Sequence, residues 1–212
     1  MTIPQLSTLE ARVLGVLVEK QRTVPDTYPL SLNALVAGCN QKTSREPILS
    51  ASDSEVQSVI DRLKDLTLVV ETSGGRVMRY GHNVERVLNL PSPAVALLAV
   101  LMLRGPQTAG ELRINCDRLH RFADISAVEG YLNELAARAP EPLVMELPRQ
   151  PGTRETRWTH LVSGVPDAIA KAPGASPAPA FAVDDLRAEL AKLRDEVSAL
   201  RVELEQLRIR MT

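Results

Sequence analysis

The stretch SDSEVQSVIDRLKDLTLVVETSGGRVMRYGH, Ser52–His82, decides how this chain is read. Ser52 with Glu55 three residues later is a capping box, the pairing in which each side chain satisfies the other's free backbone N–H at a helix start. Val56, Val59, Ile60, Leu63 and Leu66 then recur at helical spacing, which gives the helix one apolar stripe to bury. Past Leu66 the pattern changes. Leu68 to Glu71 is β-rich, Ser73 to Gly75 supplies a turn, and Arg76 to His82 returns as a second strand. Working back toward the N-terminus, Ser7 and Glu10 form another capping box, and Leu9, Val13, Val16 and Leu17 mark one face of a helix running to about Lys20. A second, short helix carries Leu32, Leu35 and Val36 behind Ser31 as its N-cap. Three helices closed by a β-ribbon describe a winged helix.

The same order then starts again. Ala94 to Leu103 reads as a helix buried on every side; Thr108 and Glu111 cap a second helix with Leu112; Ser126 and Glu129 open a third with Val128, Leu132 and Leu135. Leu143 to Leu147 and Arg154 to Val162, with Gly152 in the turn, repeat the ribbon. Ser31 to Cys39 matches Thr108 to Cys116 in length and ending, and Arg79-Tyr80-Gly81-His82 is echoed by Arg157-Trp158-Thr159-His160. The expected architecture is α+β and mostly α, with tandem winged-helix domains at 1–90 and 91–162, each holding its own core. A Pro/Ala-rich linker follows at 163–182, then a coiled coil at 183–212. In that last segment Leu186, Leu190, Leu193, Val197, Leu200, Leu204 and Leu207 alternate at intervals of three and four, the a and d positions of a heptad. Arg at each e position and Glu at most g positions match Glu189 with Arg194, Glu196 with Arg201 and Glu203 with Arg208 across a parallel pair, whereas antiparallel pairing sets like charges together. The expectation is a parallel homodimer, with a trimer as the alternative.

Composition narrows the function. Lys plus Arg is 25 and Asp plus Glu 26, a net charge of −1, so any nucleic-acid site must be local. With one Trp, three Tyr and two Phe, an interior built from aliphatic residues is expected and stacking of many bases is not. Two cysteines far apart suit neither a disulfide framework nor a CxxC-type zinc site, which points to a reducing compartment. The start MTIPQLSTLEARV lacks the charge-then-apolar pattern of a signal peptide, so no export is expected. The longest apolar run, Ala94 to Leu103, is half of the ~20 residues a membrane span needs. His82, His120 and His160 stand alone in sequence, and no GxSxG, HExxH, GxxxxGK[ST] or GxGxxG occurs. No enzyme, cofactor or metal is therefore expected.

Both third helices carry more acids than bases, Asp53, Glu55, Asp61 and Asp65 against Arg62 and Lys64 in the first repeat, which repels DNA phosphates. The cationic candidates lie elsewhere. Arg76 and Arg79 sit on the first ribbon; Arg149, Arg154 and Arg157 sit on the second, where they could meet phosphates or simply keep a strand edge solvated. Asn40, Gln41, Lys42, Ser44 and Arg45 form a polar loop able to grip a phosphate, an acidic peptide or a base edge, or to satisfy its own backbone. Tyr80 and His82 share a strand face and are expected to cover the ribbon's base against the third helix, with Arg79 turned to water.

The string EKQRTVPDTYPLSLNALVAGCNQKTSREPIL, Glu19 to Leu49, with LRGPQTAGELR and LPRQPGTRETRWTHL, resembles the YceH family of bacterial proteins. That resemblance implies a cytoplasmic pair of winged-helix domains with a coiled-coil tail and assigns no reaction. It adds weight to Asn40, Gln41, Lys42, Ser44 and Arg45, while Thr27 departs from the family pattern. The expected function is a non-enzymatic homodimer that contacts double-stranded DNA through wings and loop. The alternative is a protein-interaction module resembling the winged-helix partner proteins of bacterial chromosome segregation. No membrane partner is expected.

Overall fold

The computed structural model describes residues 4–73, 77–149, 152 and 155–165, and within these the chain is α+β. By its contacts the chain divides into Met1–Pro166 and Asp167–Thr212. The linker from residue 166 on and the heptad segment, with Leu186, Leu190, Leu193, Val197, Leu200, Leu204 and Leu207, lie outside the described residues.

Within the first unit the element order repeats. The N-terminal half contains α1 (Thr8–Thr23), β1 (Leu30–Ser31), α2 (Leu32–Cys39), α3 (Asp53–Asp65), β2 (Val69–Ser73), β3 (Met78–His82) and the short α4 (Val84–Leu88). The C-terminal half contains α5 (Ser92–Arg104), α6 (Ala109–Cys116), α7 (Ile125–Ala136), β4 (Val144–Leu147) and β5 (Arg157–His160). The sheets are antiparallel, ordered β1-β3-β2 and β4-β5. Their registers correspond: Val69 faces His82 as Val144 faces His160, and Glu71 faces Tyr80 as Glu146 faces Trp158. β1 and α4 have no counterpart in the sequence reading, because two residues and five residues are too short to carry a periodic signal.

The capping boxes at Ser7/Glu10, Ser52/Glu55 and Thr108/Glu111 all form. The fourth cap differs from expectation. Asp124, rather than Ser126, caps α7 by accepting a hydrogen bond from the Ala127 backbone N–H at 2.8 Å. Asp is as good an N-cap as Ser, and starting the helix two residues earlier leaves Val128, Leu132 and Leu135 on the buried stripe.

The halves are not separated by their contacts. α1 packs along α5 more extensively than any other two helices pack, and the buried apolar residues of both halves form one cluster. The approach is close. A Cβ on Gly15 of α1 would stand 2.9 Å from Leu103 Cγ and 3.4 Å from the Ala99 carbonyl oxygen of α5. Val95 through Leu103 is buried without interruption, so α5 serves as the wall shared by the repeats instead of the private core helix of the second. Each fully buried Leu or Val there contributes about 1.5–3 kcal/mol.

Candidate functional site

The polar loop between α2 and α3 is built inward. Arg45 is buried, its side chain 0% exposed, and forks onto Glu19 of α1 at 3.1 and 2.6 Å. The same guanidinium donates to the carbonyls of Gly38 (3.2 Å) and Ser44 (2.9 Å). Burial pushes the Glu19 carboxyl up, but hydrogen bonds from Arg45 and its charge together outweigh that and hold it below its ordinary value. Beside it Arg12 of α1, 1% exposed, donates to the Cys39 carbonyl at 3.1 Å and the Pro47 carbonyl at 2.6 Å. Burial, then the charge of Arg45, lowers the pKa of Arg12. Two buried guanidiniums thus pin four carbonyls, two at the end of α2 and two in the loop.

The remaining loop candidates follow the same pattern. Asn40 spans the loop, its Oδ1 accepting from the Ala51 N–H and its Nδ2 donating to the Ala51 carbonyl, both at 2.8 Å. Gln41 donates to the Thr43 carbonyl and hydroxyl. Ser44 Oγ accepts from Arg104 of α5 at 2.7 Å, and the Glu46 N–H donates to the Leu103 carbonyl, so the loop also binds the C-terminal half. Of the five, Lys42 alone is exposed with no carboxylate partner among the described residues. Arg12 escaped the sequence reading although its signal was present: a cation inside the apolar run of a buried helix demands partners.

The ribbon arginines are committed as well. Arg79 was expected to face water; its Nη1 donates to the carbonyls of Thr27 (3.3 Å) and Pro29 (2.8 Å) ahead of α2. Arg157 does the equivalent ahead of α6, donating to the Pro106 carbonyl at 2.8 Å and to Glu111 at 2.9 Å. In each repeat the ribbon therefore clamps the segment that leads into the second helix. Arg76 and Arg154 lie outside the described residues. Arg149 is exposed. Tyr80, buried, donates its hydroxyl to Gln57 of α3 at 3.3 Å, as the shared strand face predicts. His82 turns instead to α1, its Nε2 2.7 Å from Gln21 Oε1, while its backbone N–H donates to the Tyr28 hydroxyl at 2.7 Å.

The open face of α3 is acidic. On α3, Asp53, Glu55, Asp61 and Asp65 are all exposed, and Arg62 is drawn to Glu10 of α1 at 2.8 Å. In the C-terminal half a groove of about 440 Å³ lies between the start of α6, the outer side of α7 and the β4–β5 ribbon. Glu129, Asn133, Glu146, Arg149, Glu155 and Trp158 line it.

Cys39 and Cys116 are buried, which pushes both thiols up to about 12 and keeps them in the unreactive protonated form. Burial lowers His82 and His160 to about 4, so both imidazoles are neutral at pH 7. Among the described residues no three His, Cys, Asp or Glu side chains gather as metal ligands, and no helix is long and apolar enough to cross a membrane.

Over residues 6–153 the chain matches the family model described as "Protein of unknown function, DUF480". It is 61% identical over 194 residues to a UPF0502 protein of Dechloromonas aromatica, covering 91% of both chains. It is 60% identical over 196 residues to a UPF0502 protein of Burkholderia lata, covering 91% of this chain and 83% of that one. A UPF0502 protein of Leptothrix cholodnii is 61% identical over 193 residues, with 90% and 85% covered.

Proposed function

This chain belongs to the DUF480 family, and we propose that it is a non-enzymatic tandem winged-helix protein of the YceH kind whose task is to bind a protein partner. One observation carries the choice of partner: Arg45, Arg79 and Arg157, three of the cations expected to meet phosphates, each donate to the chain's own carbonyls, and Arg45 and Arg157 to its carboxylates as well. Phosphate binding depends on cations that are free to displace counterions, and an acidic α3 adds repulsion. Two repeated units that present acidic helices and a lined groove suit a protein surface instead. The heptads of 183–212 support pairing of two copies, which raises the effective concentration of a weak site.

A second reading keeps double-stranded DNA as the ligand. It rests on Lys42 and Arg149, which are exposed, together with Arg76 and Arg154. A fluorescein-labelled duplex titrated with the full chain at low and rising salt separates the two. The protein-partner reading expects no saturable anisotropy change at physiological salt. Tight binding that falls steeply with salt, and whose slope flattens in R149A/R154A, would overturn it.

A further inference from the structure

The two halves differ most where their structures correspond most closely. Counted from the N-caps Ser52 and Asp124, Gln57 of α3 occupies the place of Glu129 of α7, and Lys64 the place of Ala136. On the ribbons Glu71 corresponds to Glu146 and Tyr80 to Trp158 through the shared register. In the N-terminal half these positions neutralise one another: Lys64 pairs with Glu71, and the Tyr80 hydroxyl donates to Gln57. In the C-terminal half the cation has become Ala136, and the hydroxyl has been lost to an indole. Gln57 has been replaced by a carboxylate. The result is a groove of about 440 Å³ in which Glu129 and Glu146 face a binding space without the lysine that the sister site supplies; Glu146 accepts a hydrogen bond from the Thr156 hydroxyl, and among the described residues Glu155 adds a third negative charge and Arg149 one positive. That volume falls within the ~300–1,000 Å³ of side-chain and small-ligand pockets.

From this we infer that the groove between α7 and the β4–β5 ribbon is a docking site for an extended segment of a protein partner that inserts an arginine. The inference rests on the protein-partner reading above and names the chemistry of that partner. The charge of the lining selects the ligand group. Carboxylates on two sides suit the planar fork of a guanidinium, which takes bidentate hydrogen bonds that an ammonium cannot. The Trp158 indole, 7% exposed, borders the same groove, so a cation held there sits beside an aromatic ring. The occupant plays the part that Lys64 plays in the N-terminal half, supplied from outside the chain.

Trp158 is the single tryptophan of the protein, so its fluorescence reports on this groove alone. Tri-arginine amide titrated into the full chain should give a saturable change in emission, tri-lysine a weaker one, and tri-glutamate none. The double substitution E129Q/E146Q should raise the Kd about fivefold to tenfold, the sum of two exposed charge contacts. E129Q alone, at an exposed α7 position, should give part of that loss if the double variant folds poorly. D53N/D65N removes the same charge from α3 and should leave the Kd unchanged. No saturable change with tri-arginine, or an equal loss in D53N/D65N, would overturn the assignment. The duplex titration fails or succeeds separately: absent DNA binding together with absent peptide binding removes the groove and leaves the protein-partner reading standing, whereas steep salt-dependent DNA binding removes that reading itself.

Discussion

Replacing Arg45 with Met tests whether the polar loop is an internal scaffold or a ligand-binding surface. The substitution keeps volume and removes the fork on Glu19 along with the donors to the Gly38 and Ser44 carbonyls. Two carbonyls losing their hydrogen bonds cost about 1 kcal/mol each. The Glu19 carboxylate, 17% exposed, is left charged with little water to solvate it. Breaking a buried pair from one side costs about 3–5 kcal/mol in total, and this value applies here because the Arg45 side chain has no solvent contact. Urea unfolding of the full chain at neutral pH should show that loss. The pH dependence has a definite sign. Glu19 is held below its ordinary pKa in the folded protein, so its contribution is complete above the normal carboxylate range and disappears as pH falls through the folded value. Without Arg45, burial dominates and Glu19 takes up a proton more readily, so the gap between wild type and variant narrows on acidification. Removing both charges, in E19M/R45M, should cost less than R45M alone. A loss below about 1 kcal/mol for R45M, with unchanged pH dependence, would refute the reasoning and return Arg45 to the surface.

Gly38→Ala should destabilise by about 1–3 kcal/mol in the same urea assay, because a Cβ there would stand 2.6 Å from Val16 Cγ1, where α2 crosses α1; an unchanged midpoint would mean that the helices separate freely. His82 and His160, lowered to about 4 by burial, stay neutral in the folded chain while their unfolded counterparts protonate near 6.5. Stability should therefore fall as pH drops from about 6.5 toward 4, and H82Q/H160Q should flatten that part of the profile; an identical slope in the variant would show that other groups govern it.

The elements that announced themselves in sequence did so through local chemistry. Ser7/Glu10, Ser52/Glu55 and Thr108/Glu111 each complete a reciprocal cap within one turn, so nothing distant is needed to recognise them. The apolar stripe of α3 and the matched ribbons were equally local. What the sequence concealed was long-range. Arg45 reads as a surface cation because Glu19, its partner, lies 26 residues earlier, and Arg157 finds Glu111 across 46 residues. Asn40 meets Ala51 eleven residues on, across a loop whose course no periodicity describes. The junction of α1 with α5 was hidden for a related reason: a helix that is apolar all round looks the same whether it is enclosed by its own repeat or by a neighbouring one. The groove was half legible. Glu129 and Glu146 were visible as charges, but their lack of an internal lysine emerges only when the ribbon registers place Glu71 and Glu146 in equivalent positions.

The Gly15 crossing carries a consequence for how the duplicated chain behaves as a whole. Helices that leave room for a hydrogen but not for a methyl group at Gly15 have no slack for swivelling, so the copies cannot act as beads on a string. Cleaving near Pro91 would strip the cover from the faces of α1 and α5 that meet around Gly15, Ala99 and Leu103, and each fragment would emerge with a greasy wound in place of a finished surface. Two repeats that share one core are expected to melt in a single transition.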